Sequence, residues 1–467
     1  MNITARKTTS EMSNIPTVLV LPFPAQGHVN SFMNFSRKLA ENGLKIIFVN
    51  SEFNHKRMMA SWEESKDSLV ESNIEFVSIP DGLGPEEDRS DSKKLIVAVS
   101  RSMPAMLEKL IGDVVCVNGN CSRISCIVAD VSMGWALEIA SKLGIRRAAL
   151  STYCATMFAL QYSLRRMVDD GIIDCNGMPI QKGPFQLSPS MPIMHTDQIF
   201  WSKVGDFDCG KAGFDYMKRF TQAFDLAEWW LCNTTYELEP KSLSFLPKLL
   251  PIGPYMGSSH STRSLGQLWE EDLSCLNWLD QQPPCSVIYA AFGSFTLFNS
   301  NQFKELALGL EFTNRPFLWV VRSDVNNSTK NEYPDEWHAN LGKIVGWAPQ
   351  KQVLSHPAIA CFISHCGWNS TIEGLCNGVP FLCWPYFADQ IYNKHLICEE
   401  LKVGLGFDSD EKGIVSSGEI KKKVEKLIND ENIKARSMKL KEMLLSNIAE
   451  GGRSSENFKK FVKWLKE

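Results

Sequence analysis

The sequence predicts an α/β protein made of two doubly wound, Rossmann-like domains that face each other across a cleft. Apolar strand-like runs alternate with amphipathic helical patterns in the first half of the chain, and the alternation repeats in the second half. A stretch rich in Gly and Ser, without periodicity, separates the halves. With 467 residues the chain is long enough for two or three domains. We expect domains at 1–250 and 273–453 and a linker at 251–272.

In the first half, short apolar runs are followed by helical patterns, as in a parallel sheet with crossover helices. The predicted helices cover about 30–42, 93–111 and 133–143. The predicted strands cover 17–23, 45–50, 74–80, 125–130 and 146–151.

The second half repeats this pattern and then ends in helices. From about Ser417 the chain predicts three charged amphipathic helices, and we expect the last, about 454–467, to pack back on the first domain. The strands before them are predicted at 286–294, 316–322, 342–348, 359–365 and 379–385.

Composition excludes several classes of protein. The formal net charge of -4 leaves no excess of positive charge for a nucleic acid. Residues 1–13 are polar, and no apolar run reaches the roughly 18 residues of a membrane span. Many of the 14 cysteines lie in apolar runs and none forms a C-x-x-C pair, which is typical of reduced core thiols. We expect a cytoplasmic monomer without a membrane span.

The most informative segment is Trp347 to Gln390, WAPQKQVLSHPAIACFISHCGWNSTIEGLCNGVPFLCWPYFADQ. A buried strand ends at His365, and CGWNS turns directly into a helix, so backbone N–H groups and a positive helix end point beyond the strand. Asn369 and Ser370 in the first turn, with His365, can donate to a diphosphate. Glu373, one turn later, can accept from ribose hydroxyls.

This segment resembles, almost residue for residue, the signature of the plant secondary-product glycosyltransferases. These family 1 enzymes have the GT-B fold and use UDP-sugars. P-A-Q-G-H at 24–28 and V-A-D at 128–130 extend the resemblance, which covers nearly the whole chain. It implies that the indole of Trp347 stacks on uracil, and that Asp389 and Gln390 hold sugar hydroxyls. The implied donor site comprises Ser294, Trp347, Ala348, Gln350, His365, Gly367, Trp368, Asn369, Ser370, Glu373, Asp389 and Gln390.

His28 follows the first strand, at the sheet edge where α/β proteins bind ligands. An imidazole there can remove a proton from an acceptor hydroxyl. By resemblance Asp130, at the end of its own strand, holds the second ring nitrogen of His28; it can also cap the following helix. The family commonly continues His-x-Asn-Pro, whereas this chain has Ser31 in place of the proline.

Other chemistries find little support. D-x-D sequences occur at 206–208 and 408–410, but neither follows a buried strand in a nucleotide-site context, so we expect no metal. No P-loop and no G-x-G-x-x-G fingerprint occurs, which removes the main support for an ATPase or a dehydrogenase. We expect no cofactor, with UDP-glucose as the donor substrate.

These features predict an inverting UDP-glucose-dependent glucosyltransferase acting on a small apolar acceptor, phenolic, flavonoid or terpenoid. Glucose is expected because glutamine at the position of Gln390 accompanies glucose in the related enzymes. Rival interpretations are a non-catalytic UDP-sugar-binding protein and a GT-B enzyme that uses another donor or forms C- or N-glycosides. Candidate acceptor-binding residues are Tyr153, Met157, Phe200, Trp201 and Phe387.

Overall fold

A computed structural model describes residues 15–62, 73–89, 91–116, 124–203, 207–255, 266–322, 333 and 341–467. The polar start at 1–13 and the linker residues 256–265 lie outside the described residues.

The first half forms a seven-stranded sheet in which every neighbouring pair is parallel, with the strand order β3-β2-β1-β4-β5-β8-β9. A short antiparallel pair, β6 and β7, lies outside it. The strands are β1 (Thr17–Leu21), β2 (Lys45–Ser51), β3 (Ile74–Ile79), β4 (Ile124–Asp130), β5 (Arg146–Ser151), β6 (Pro184–Phe185), β7 (Met194–His195), β8 (Trp229–Cys232) and β9 (Leu249–Pro251).

The helices of this half cover the sheet. The first begins at Gln26, earlier than the predicted start near Asn30, because Ala25 is already the extended residue that precedes the helix. His28 therefore lies in the first helical turn. The helices are α1 (Gln26–Glu41), α2 (Glu52–Trp62), α3 (Ser92–Cys116), α4 (Trp135–Lys142), α5 (Ala155–Tyr162), α6 (Leu164–Asp169), α7 (Phe207–Thr221) and α8 (Pro240–Phe245).

The second half forms a six-stranded parallel sheet with the order β12-β11-β10-β13-β14-β15. Its strands are β10 (Val287–Ala291), β11 (Phe317–Val320), β12 (Gly342–Val345), β13 (Ile359–Ser364), β14 (Phe381–Cys383) and β15 (Gly404–Gly406). Its helices, with the C-terminal one, are α9 (Ser274–Leu279), α10 (Ser300–Phe312), α11 (Gln350–Ser355), α12 (Trp368–Asn377), α13 (Gln390–His395), α14 (Ser417–Ile428), α15 (Glu431–Ile448) and α16 (Arg453–Lys466).

The prediction of two doubly wound α/β halves is confirmed. All ten predicted strands are present, mostly shorter than predicted, because apolar residues continue past the point where pairing stops. Strands β6, β7, β8, β9 and β15 were missed: they have only 2, 2, 4, 3 and 3 residues. The last contains two glycines, which disfavour strands.

The eleven described cysteines are free thiols, and most are buried. Within the described ranges, no helix is long and apolar enough to traverse a bilayer.

Candidate active site

A cavity of about 310 Å³ lies where the carboxyl ends of the two sheets face each other. The first half contributes residues that follow β1 and β5, including His28 and Tyr153. The second half contributes residues that follow β10, β12, β13 and β14. The volume is at the lower end of the range for small-molecule clefts, about 300–1,000 Å³. All twelve residues of the sequence-predicted donor site line this cavity.

His28 is anchored by a buried carboxylate. Its Nδ1 lies 2.6 Å from Oδ2 of Asp130, and Asp130 has no exposed surface. The other carboxylate oxygen accepts from the backbone N–H of Ser132, so Asp130 also caps the turn after β4. The hydroxyl of Thr152 lies 3.0 Å from the same Nδ1. Since Nδ1 is occupied, Nε2 is the nitrogen available to a ligand.

Two carboxylates set the protonation of His28. Burial opposes its positive charge, but the charge and hydrogen bond of Asp130, with a contribution from Asp389, outweigh burial and raise the pKa of His28 above 6.5. Burial raises the pKa of Asp389 to about 6, although Asn393 and His28 act against this shift. The imidazole is thus bracketed by one carboxylate from each half of the molecule.

His365 follows β13 and fits between two glycines. A Cβ on Gly293 would come within 2.6 Å of its Nε2, and one on Gly367 within 2.5 Å. Burial lowers the pKa of His365 to about 4, although the Ala291 backbone partly offsets this. The ring is therefore neutral near pH 7, and it can offer an N–H donor to a diphosphate but no positive charge.

The start of α12 is tied to the first half of the molecule. The side-chain amide of Asn369 donates to the carbonyl of Gly27 at 2.6 Å, and the indole N–H of Trp368 donates to the carbonyl of Asn233 at 2.9 Å. One N–H of the Asn369 amide is used in this contact, and the amide has a second N–H, so its donation to a diphosphate stays a prediction. Ser370 and the backbone N–H groups of this turn remain as donors at the cavity.

Gln350, the first residue of α11, orients Glu373 of α12. Its Nε2 donates to Oγ of Ser370 at 2.9 Å and to Oε2 of Glu373 at 2.8 Å. Burial raises the pKa of Glu373, while the charge of Lys351 and the Gln350 hydrogen bond act in the opposite direction. Sequence reasoning missed Lys351, which also lines the cavity.

Trp347 belongs to an aromatic stack. Its ring lies 4.8 Å from that of Trp269 at an interplanar angle of 25°, and its indole N–H donates to Oε1 of Gln267 at 3.2 Å. Trp269 covers one face of the indole, which leaves the other for a flat base. Ala348 lines the cavity beside it.

Asp389 and Gln390, at the start of α13, differ in the polar atoms that they leave for a ligand. The side-chain oxygen of Gln390 accepts from the backbone N–H groups of Tyr386 and Phe387, at 2.8 and 3.1 Å. Because both lone pairs of this oxygen are used, the side chain of Gln390 has only its N–H groups left as hydrogen-bonding groups for a ligand. Asp389 lines the cavity with a carboxylate, whose Oδ2 accepts from Nδ2 of Asn393 at 2.8 Å.

The predicted acceptor residues separate into two groups. Tyr153 and Phe387 line the cavity, together with Phe23, Leu95 and Ile96, which carried no sequence signal. The structure does not place the other three candidates there, which corrects that prediction: an apolar run does not reveal which side of its helix faces a cleft. Met157 has no exposed surface. The indole N–H of Trp201 donates to the carbonyl of Gly177, and Phe200 packs edge-on against Trp201.

The D-x-D sequences lie apart from the cavity lining where they are described. Asp408 pairs with Lys423 at 3.0 Å and is exposed, whereas Asp206 lies outside the described residues. Among the residues that have a described placement, no group of three His, Cys, Asp or Glu side chains converges.

Two facing parallel α/β sheets, with an imidazole–carboxylate pair on one side of the cleft and a helix N-terminus on the other, define a GT-B glycosyltransferase. Comparison with known proteins agrees. The family described as UDP-glucoronosyl and UDP-glucosyl transferase matches residues 214–447, and that of the glycosyltransferase N-terminal domain matches residues 14–166.

Whole-chain relatives identify the family. UDP-glycosyltransferase 83A1 of Arabidopsis thaliana is 44% identical over 459 residues, covering 97% of each chain. A UDP-glucosyltransferase of Polygonum tinctorium, described as capable of glucosylating indoxyl, has a solved structure with 26% identity, a TM-score of 0.80 and coverage of 97% and 99%. UGT71G1 of Medicago truncatula, solved with UDP-glucose, shares the fold at 24% identity, with a TM-score of 0.80 and coverage of 98% and 100%. The chain belongs to the plant family 1 UDP-glycosyltransferases.

Proposed function

We propose that this enzyme is an inverting glucosyltransferase that transfers glucose from UDP-glucose to a hydroxyl group of a small apolar acceptor. The observation that carries the proposal is the 2.6 Å contact between His28 and Asp130 at the cavity that the donor residues line. A base in one half therefore faces a nucleotide-sugar site in the other.

In the proposed reaction, Nε2 of His28 removes the proton of the acceptor hydroxyl. The oxygen attacks the anomeric carbon from the face opposite UDP, so a new C–O bond forms as the bond to the diphosphate breaks. UDP leaves with the bonding electron pair, and configuration at that carbon inverts. Asp130 stabilises the imidazolium that results.

The leaving diphosphate needs stabilisation, and protein groups are positioned to supply it. These are the backbone N–H groups at the start of α12, the hydroxyls of Ser294 and Ser370, and the neutral imidazole of His365. We propose that no metal is required, and expect activity to survive excess EDTA. Inactivation by EDTA with restoration by manganese would contradict this.

The donor proposal rests on the loop before α13. Gln390 offers an amide donor and Asp389 a carboxylate acceptor, which can pair with adjacent equatorial hydroxyls of glucose. Competition between UDP-glucose and UDP-galactose tests it, and a higher kcat/KM for UDP-galactose would contradict it.

The acceptor side of the cavity is apolar and carries negative charge. Phe23, Leu95 and Ile96 contribute its surface, while Asp389 faces it near His28. A phenol, flavonoid or terpenoid alcohol fits this apolar surface. Related proteins are described as glucosylating indoxyl and 7-deoxyloganetic acid. We propose that the enzyme acts in the cytoplasm as a monomer.

The test measures UDP release from UDP-glucose across a panel of phenols, flavonoids and terpenoid alcohols, with UDP binding measured separately by calorimetry. We expect His28→Ala to lower turnover about 100- to 10,000-fold and to keep UDP binding, because a general base contributes about that much. Near wild-type turnover of His28→Ala would contradict the base assignment.

The same panel separates the rival functions. A wild-type chain that binds UDP but turns over no acceptor would be a binding protein. Acid-resistant products would indicate C-glycosides rather than O-glycosides.

A further inference from the structure

Lys351 links the nucleotide side of the cavity to the helix that carries His28. Its ammonium donates to Oδ1 of Asn34 at 2.9 Å, so the second residue of α11 contacts the middle of α1 across the cleft. Both side chains are half-buried. Lys351 lines the cavity, whereas Asn34 is not among the lining residues. The side-chain amide of Asn34 donates through Nδ2 to Oδ1 of Asn30 at 3.4 Å.

The charge of Lys351 is coupled to Glu373. Burial lowers the pKa of Lys351, Glu373 acts to raise it, and Arg37 on α1 acts to lower it further. Conversely, burial raises the pKa of Glu373, whereas the charge of Lys351 acts to lower it. The positive charge of Lys351 therefore favours the ionised carboxylate of Glu373, the form that can accept from both ribose hydroxyls. Asn34 fixes where that positive charge lies.

We infer that Lys351 is a positioning residue through which the first domain completes the nucleotide site: Asn34 holds its ammonium at the cavity, where its charge acts on Glu373, and so ties UDP binding to the helix that carries His28. The inference rests on the proposed role of Glu373 in holding the ribose of a UDP-sugar. Asn34 and His28 belong to one rigid helix, so the contact that strengthens nucleotide binding also fixes the base relative to the donor.

Asn34→Ala tests this inference because Asn34 lies outside the cavity lining and alanine preserves the helix. In the full-length enzyme, we expect calorimetry to show UDP binding roughly 3- to 30-fold weaker, the range for residues that couple two sites without touching the ligand. The donor KM should rise in parallel while the acceptor KM stays the same.

Three further variants make the test specific. Lys351→Met should weaken UDP binding at least as much as Asn34→Ala. The double variant should be no worse than Lys351→Met, because both changes remove one interaction. Asn34→Asp, which keeps an oxygen for Lys351, should restore near wild-type binding. The control is Asn42→Ala, an exposed asparagine directly after the end of α1, which should leave UDP affinity unchanged.

The outcomes separate the inference from the proposed function. Wild-type affinity in Asn34→Ala, strictly additive losses in the double variant, or an equal loss in Asn42→Ala would overturn the role of Lys351. A wild-type chain that does not bind UDP at all would instead overturn the proposed function.

Discussion

At the scale of residues, the two carboxylates that act on His28, Asp130 and Asp389, affect it in different ways. Asp130 touches Nδ1 and is fully buried, so it fixes the ring and favours its protonated form. Asp389 comes from the other half of the molecule, acts on His28 only through its charge, and lines the same cavity. The protonation of His28 is therefore sensitive to both halves of the enzyme.

Asp130→Asn should change the pH dependence of kcat/KM. The base must be neutral to accept a proton, so wild-type activity falls as pH drops through the raised pKa of His28. Without the carboxylate the shift due to burial dominates, and the acidic limb should move to lower pH. The plateau should also fall, though less than in His28→Ala, because the imidazole remains. An unmoved limb would show that Asp130 does not set the pKa of His28, whereas a loss equal to or greater than that of His28→Ala would make Asp130 the base instead.

Gln390→His should lower glucose transfer sharply with little gain in galactose transfer. The wild-type amide is fixed by two backbone N–H groups and presents only its nitrogen to the sugar. An imidazole cannot reproduce that fixed donor, and mispairing one hydroxyl costs about 1–3 kcal/mol, or roughly 5- to 150-fold. The measurement is kcat/KM with both donors. A variant that keeps full glucose transfer would show that this amide does not contact the sugar.

The sequence predicted which residues reach the cavity better than what their polar atoms do there. Strand ends and helix starts follow from local patterns, so positions such as His365 and Ser370 could be placed from the sequence. The partners of Asn369 and Gln390 could not, because their amides bind backbone groups that only tertiary contacts bring near. Lys351 carried no motif signal, since its partner lies 317 positions away in the sequence.

At the scale of elements, His365 depends on the two turns that flank it. Gly293 has a φ of 69°, which side-chain-bearing residues rarely adopt, and Gly367 leaves no room for a Cβ beside the imidazole. The turn after β10 and the start of α12 are thus shaped around one ring. Turns of this kind carry glycine for steric reasons that a strand or helix pattern alone does not reveal.

Gly367→Ala should weaken UDP binding by displacing the His365 ring. The added Cβ would lie 2.5 Å from Nε2, so the ring must turn away from the position where it meets the diphosphate. Loss of one hydrogen bond to a charged group weakens binding roughly 10- to 100-fold. Calorimetry with UDP measures it. Gly346→Ala is the matched control, because no atom lies within 4 Å of its Cβ. Equal affinity in the two variants would show that His365 does not contact the diphosphate.

At the scale of the whole molecule, the end of the chain returns to the first domain. Helix α16 follows the second sheet in sequence, yet Phe458 and Phe461 pack with Phe35 of α1, at ring distances of 6.2 and 6.1 Å. The side-chain amide of Asn457 donates to the carbonyl of Pro251 at 3.0 Å. The alternation of strands and helices predicts two domains, but the long-range contacts that join them are formed by side chains distant in sequence.

Phe461→Ala should therefore destabilise the first domain although it lies at the opposite end of the chain. The ring has no exposed surface and packs between Phe35, Trp229 and Trp464, with centroids at 6.1, 5.5 and 5.7 Å. Removing a buried phenyl ring leaves a cavity and costs about 3–5 kcal/mol of unfolding free energy. Urea unfolding followed by tryptophan fluorescence measures it, because two of the neighbours are indoles. Lys460→Ala, at an exposed position of the same helix, should change stability by less than about 0.5 kcal/mol. Equal midpoints in the two variants would mean that α16 does not hold the first domain together, and that its contacts with α1 contribute little to the fold.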